Sequence, residues 1–304
     1  MGKIVPLPDN VDRHLSLGES ALRNSNFAAA VPHLEKAYQR TPVFEVGREL
    51  VQAYNGLEQS ASALPIVSEY MEDFLASAKD TELLYDTLLA LPDYRFAWAT
   101  LAHVAVIQRP PLQQRIEDAE AADLAANQPA LEKLAKELKH LGGFDAHKQE
   151  QVIKELGRLP RQLMIEAARP NLTDEDVHPA VRISLLDALT AVGDREPVTV
   201  LGYQTSGEVV PDDLPGVLND PTLLAVLDQV QRQVGLGDPE LMRATVQVLR
   251  FELGYLYPFI DQTITDPKQF AYDYLHKDSA PLSPAMQTLL AWLGEQTAKL
   301  ADMA

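Results

Sequence analysis

The chain contains no cysteine, which excludes disulfides, thiolate metal sites and a cysteine nucleophile. Such a composition agrees with a reducing compartment. Basic residues are scarce. Only 26 Lys and Arg stand against 44 Asp and Glu, for a formal charge of −18. A surface that grips phosphates gathers basic side chains on one face, so nucleic acid and anionic membrane are poor partners for this chain. Long apolar runs are missing as well. The longest, Phe96 to Ile107, falls well short of the roughly 20 residues that span a bilayer. The leading MGKIVPLPDN has no apolar signal core, and Pro6 stands where myristoylation of Gly2 wants Ser or Thr. Together these absences lead to the expectation of a cytoplasmic protein. No dinucleotide-binding GxGxxG, phosphate-binding loop, HExxH or GxSxG motif occurs.

What is present is ordinary globular material. Apolar residues make up 46% of the chain, enough to bury a sizeable core and to exclude a wholly disordered protein. Residues 11–42 carry an ordered grid of small and large side chains: Leu17, Gly18, Ala21, Phe27, Ala30, Leu34, Ala37 and Pro42. Leu17, Ala21 and Leu22 share one helical face. Phe27, Ala30, Leu34 and Ala37 share the face of a second helix. Asn24, Ser25 and Asn26 form the turn between them, and Pro42 ends the pair. The grid returns as Leu50, Tyr54, Ala63, Val67 and Tyr70, then as Leu84, Leu88, Tyr94, Ala97, Leu101 and Val104. Ala30, Ala63 and Ala97 keep the small residue where two helices must approach closely. Val51 and Tyr85 replace the glycine in the later units, and Ser60 replaces the aromatic before the second helix.

This grid resembles a tetratricopeptide (TPR) repeat, a helix–turn–helix unit of about 34 residues. The resemblance implies a TPR-like α-solenoid over residues 1–110, with about three units. The pattern is also similar to uncharacterised TPR proteins of Gram-positive bacteria, a likeness that brings no activity with it. Residues 111–169 continue as helical hairpins rich in Ala, Glu, Leu and Lys. A break is expected near Pro129, and Gly142-Gly143 stops an apolar stripe of Leu131, Leu134, Leu138 and Leu141.

Residues 170–304 form a third region, a helical C-terminal domain with one small β-hairpin. The alternation of PVTVLGY, the turn chemistry of QTSG and the following EVVP place that hairpin at about 197–210. Helices are expected at Pro221–Val234, Pro239–Leu256, Pro267–Lys277 and Pro284–Asp302. Each has proline in its first turn, with Asp220, Asp238, Asp266 and Ser283 as caps. Tyr255, Tyr257 and Phe259 lie close together with Phe251 and Phe270, and their alternation suits no single helical face. At least one of the three is therefore expected to be exposed.

Chemistry-bearing residues are dispersed. Of seven histidines, no pair has the spacing of a helical zinc motif. His140, His147 and Glu150 meet only if the Gly142-Gly143 turn brings them together, and they read better as surface groups. Asp174, Glu175 and Asp176 lack the alternating ligands of a calcium loop. No catalytic residues, metal or cofactor are expected, and the chain reads as a non-enzyme.

The TPR resemblance instead implies a concave groove lined by the first helix of each unit. Some members hold a peptide carboxylate there with Lys, Asn and Arg. Here Leu15, Glu19 and Glu49 occupy the matching places, with only Lys79 basic beside Leu83, so that clamp is broken. Glu19, Arg23, Arg48, Gln52, Asn55, Glu82 and Asp86 are the groove candidates. Their mildly acidic mixture suits a polar or basic peptide. The expected function is a scaffold or adaptor binding a segment of another protein, with self-association as a second use of the same surface. The alternative is a regulator that senses a peptide or metabolite and signals through the C-terminal domain.

Overall fold

A computed structural model describes residues 11–234 and 239–301. The leading IVPLP and Asp238, expected to cap the helix at Pro239, lie outside the described residues. Those described form sixteen α-helices and one two-stranded antiparallel sheet, so the mostly helical expectation holds. The chain divides into two compact units, parting between Asp123 and Leu124.

The first unit opens with α1 (Val11–Arg23), α2 (Phe27–Arg40), α3 (Phe44–Gly56) and α4 (Ser60–Glu69). A short α5 (Met71–Leu75) precedes α6 (Ala78–Leu89) and α7 (Tyr94–Leu101). Local chemistry sets the starts. Asn26 caps Ala29, Ser77 caps Asp80, and Asp93 caps Phe96, each accepting a backbone N–H that the helix leaves unpaired. Each helix packs on the next, and α1 touches α3 as α3 touches α6. Ala30, Ala63 and Ala97 fall on α2, α4 and α7 and are completely buried in one continuous core. Gly18 is needed for the same closeness, since a Cβ there would lie 2.6 Å from the Leu34 side chain. Leu17 departs from the expected shared face and is 41% exposed. Helix α1 packs chiefly against α2 and α3.

Tyrosine hydroxyls tie the rods together. Tyr54 of α3 donates to Glu35 of α2 at 2.7 Å, and Tyr38 of α2 donates to Glu69 of α4 at 2.8 Å. The long α8 (Arg109–Lys139) loses helical geometry at Asn127, two residues before the proline expected to break it.

The second unit contains α9 (Ala146–Lys154), α10 (Arg161–Ala168) and α11 (Pro179–Ala191). The hairpin follows, with β1 (Val198–Gly202) and β2 (Thr205–Val209) paired from Val198 against Val209 to Gly202 against Thr205. The turn is Tyr203-Gln204, not QTSG. Gly207 is drawn into the strand because its bare Cα, with that of Gly202, seats the Phe259 ring.

Helices α12 (Pro221–Val234), α13 (Pro239–Gly254), α14 (Ile260–Thr263), α15 (Pro267–Leu275) and α16 (Pro284–Ala301) complete the unit. Asp220, Asp266 and Ser283 accept the first free backbone N–H groups of α12, α15 and α16, as expected. The aromatic expectation fails. Tyr255, Tyr257 and Phe259 are all buried, at 3%, 2% and 6% exposure, while Phe251 is the exposed member. Helix α13 ends at Gly254, so the three rings sit on a turn and are not held to one helical face.

His178, just before α11, shows how this unit depends on protonation. Its Nδ1 accepts the Ala180 N–H at 3.1 Å, so the ring proton must sit on Nε2, which donates to the Gln296 carbonyl at 3.0 Å. Burial holds the imidazole pKa below its ordinary value, and nearby Lys299 and Arg182 push the same way against the Gln296 bond. A depressed histidine pKa leaves the unfolded chain with more protons, so stability rises with pH in that window. The contribution is complete above about pH 6.5 and is lost as pH falls below it. His178→Asn keeps a capping side chain without the titration. Urea unfolding at pH 7.5 and 5.5 is expected to show a larger acid loss in the wild type than in this variant. Equal losses would remove His178 as a source.

Candidate peptide-binding face

The seven groove candidates come from three helices that lie side by side, α1, α3 and α6. Glu19 and Arg23 stand one turn apart on α1 and pair at 3.8 Å. Arg48 on α3 reaches Asp80 on α6 at 3.5 Å. Glu82 and Asp86, one turn apart on α6, both pair with Arg115 of α8, the latter at 2.6 Å. The charged candidates therefore fall into three ion-paired groups that make a strip along these helices within the first unit. Gln52 is exposed beside it.

Asn55 differs from its neighbours. Its Nδ2 donates to Thr87 Oγ1 at 2.8 Å, while its Oδ1 accepts from Ser60 at 2.9 Å. Both ends of the amide are used to join α3 to α6 and to the start of α4. Asn55 therefore holds helices together, with one donor and one acceptor position of its amide committed internally.

Three members of the strip were not among the candidates. Arg115 lies one repeat length beyond Glu82, a signal that extending the grid past residue 110 would have caught. Asp80 is adjacent to Lys79, which attracted attention for its charge, yet Asp80 is the buried one, 9% exposed. Glu49 is the third. Its Oε2 is sealed from solvent with no hydrogen-bond donor. Burial first, then the Glu19 charge, raises its carboxyl pKa above the ordinary value, against Arg48 and Arg23.

On α1 Arg23 is more exposed than Glu19, 69% against 38%, but along α6 the exposed groups are acidic. Arg115 is one-third exposed, while the side chains of Glu82 and Asp86 are 57% and 56% exposed. Such pairs hold little energy, about 0–1 kcal/mol, so their carboxylates can be redirected to a cationic ligand at small cost. The surface offers hydrogen-bond acceptors and charge, and Ser77 donates its hydroxyl to Asp80 within it at 2.6 Å.

Residues considered for metal binding are otherwise engaged. Glu150 pairs with Lys154 at 2.6 Å, and His147 Nε2 meets Gln151 at 2.8 Å. Among the described residues, no three His, Asp or Glu side chains converge as ligands. No helix among them is long and apolar enough to cross a membrane.

The second unit has a separate cavity of about 710 Å³ between the hairpin turn, the loop after α14 and the start of α16. Tyr203, Thr205, Gln262, Gln269, Asp273 and Thr288 contribute to its wall, and no Lys, Arg or His lines it. Thr205 donates to Gln262 at 3.3 Å and Gln269 to Asp273 at 2.8 Å. That lining offers amide and hydroxyl groups and disfavours anions. No protein-family model matches the chain, and no curated protein or solved structure matches it either.

Proposed function

We propose that the chain is a non-enzymatic scaffold or adaptor. Its first unit is a TPR-like array that takes a basic or polar segment of another protein along α1, α3 and α6. The observation that carries this reading is the strip from Glu19 to Arg115, with the more-than-half-exposed carboxylates of Glu82 and Asp86 along it. A peptide bearing Lys or Arg exchanges its water for those carboxylates without displacing core groups. An acidic peptide meets like charge, which disfavours wrong partners.

Fluorescence anisotropy with paired labelled peptides, one Lys/Arg-rich and one with those residues replaced by Glu, tests the proposal. The basic peptide is expected to bind the wild type in preference to the acidic one. Glu82→Lys combined with Asp86→Lys is expected to weaken basic-peptide binding about tenfold or more, from reversed contact charges. These exposed pairs contribute little to folding, so the double variant keeps its structure. Equal affinity of wild type and variant would remove the face from the account.

A second reading, a regulator that senses a small ligand through its C-terminal region, is supported by the cavity beside the Tyr203-Gln204 turn. Its neutral and acidic lining fits an uncharged, hydroxyl-bearing metabolite. Thermal stabilisation of the chain by such compounds, with no preference for basic peptides, would favour it over the scaffold.

A further inference from the structure

His14 of α1 and His33 of α2 are far apart in sequence and meet across the first helical hairpin. Their Nδ1 atoms are 3.0 Å apart, with ring centroids at 5.3 Å and ring planes at 35°. Both side chains are half-buried. The backbone that brings them together is well held. Ser25 N–H donates to Leu22 O at 2.8 Å and Asn26 N–H to Ala21 O at 2.9 Å, closing the turn. Gly18 and Leu34, next to the pair on either helix, fix the helix approach. Two imidazoles are thus delivered by packing that does not depend on them.

We infer that His14 and His33 form a two-histidine site for a divalent transition ion that favours nitrogen ligands at right angles, Cu²⁺ or Ni²⁺. Metal–imidazole bonds are about 2.0–2.1 Å. Two such bonds at a right angle place their nitrogens about 3.0 Å apart, whereas tetrahedral geometry needs about 3.4 Å. The observed 3.0 Å contact of the metal-free pair lies within a few tenths of an ångström of either spacing, and the affinity order of nitrogen ligands favours Cu²⁺ and Ni²⁺. In the metal-free pair one Nδ1 carries the proton and the other accepts it. Metal binding moves that proton to Nε2 of the same ring, so a neutral pair releases no net proton. Rotation about each Cβ–Cγ bond then turns both lone pairs onto the ion. Water completes the coordination. The sequence hides this site, since the two histidines come from different helices and share no motif spacing.

The test uses the full chain without a histidine tag, with NiCl₂ by calorimetry and CuCl₂ by electron paramagnetic resonance. One saturable ion per chain is expected, with copper hyperfine structure from two imidazole nitrogens. Binding should follow the order Cu²⁺ above Ni²⁺, with none for Mg²⁺. At one hundred times Kd, the ion should raise Tm by on the order of 5 °C. His14→Gln and His33→Gln should each weaken binding about tenfold or more, with helical circular dichroism unchanged. Undiminished binding in the double variant, or no saturable binding by the wild type, would overturn the site. A variant that loses its helical signal is replaced by His33→Asn in the same assay. The readout is metal affinity, so it stands or falls separately from peptide binding.

Discussion

Arg182→Ala is expected to lower the unfolding free energy by about 3–5 kcal/mol, because unpaired buried carbonyls cost about 1–3 kcal/mol each. Arg182 lies on α11 and is 6% exposed. Its guanidinium donates to Leu201 O of β1 at 2.8 Å, and to Asp174 O and Val177 O at 2.9 Å. One side chain therefore fastens the hairpin and the chain leading into α11 to the helix between them. Burial holds its pKa below the ordinary arginine value, opposed by Asp174 and Glu175. Removing the cation relieves that desolvation and offsets part of the loss, which sets the upper end of the range. Arg182→Lys should recover only part of the stability, since one ammonium cannot reproduce the planar fork. Urea titration of the three proteins measures the effect. Amide exchange in 198–209 should quicken most in the alanine variant. A loss under about 1 kcal/mol would mean that water replaces the guanidinium at all three oxygens.

The structure and sequence agree where one local rule decides the outcome. Proline in the first turn with an aspartate or serine before it fixed α12, α15 and α16 almost to the residue, because both the missing donor and the cap act within a few positions. Alternation likewise located the hairpin. Its turn lies earlier than alternation suggests, because Gly207 reads as turn chemistry while the Phe259 ring, distant in sequence, holds it in the strand. The burial of Tyr255 and Tyr257 escapes the pattern for a similar reason, since the helical period ends with α13 at Gly254. At the candidate face, the charged candidates lie on three neighbouring helices, α1, α3 and α6. Residue type alone does not separate exposed groups from internal fasteners. Asn55 looks like a binding residue in one dimension and is a helix-to-helix tie in three. Charge composition shows that acids are in excess. Which of them, like Glu82 and Asp86, stay exposed depends on where Arg115 returns.

Tyr85 carries this lesson into a second large expected effect. It occupies the place where the first unit has Gly18, so the repeat pattern alone suggests that a smaller side chain would improve the third helical pair. Packing argues the reverse. Tyr85 is completely buried, and its hydroxyl donates to the Ala97 carbonyl on α7 at 3.2 Å. Burial raises the pKa of that phenol, against Arg109 and Arg115, so it remains a neutral donor. Helices α6 and α7 are therefore spaced by a ring where α1 and α2 are spaced by a bare Cα. Tyr85→Ala is expected to cost about 3–5 kcal/mol, the range for emptying a large aromatic site in a core. Tyr85→Phe keeps the volume and should cost about 1 kcal/mol for the lost hydrogen bond. Stability measured by denaturant, with amide exchange read over α6 and α7, separates the terms. A stability gain in Tyr85→Ala would mean that the helices close up to the spacing of the first pair. The smaller loss is reserved for Tyr85→Phe, because a filled aromatic volume, and not the repeat's small residue, holds this pair apart.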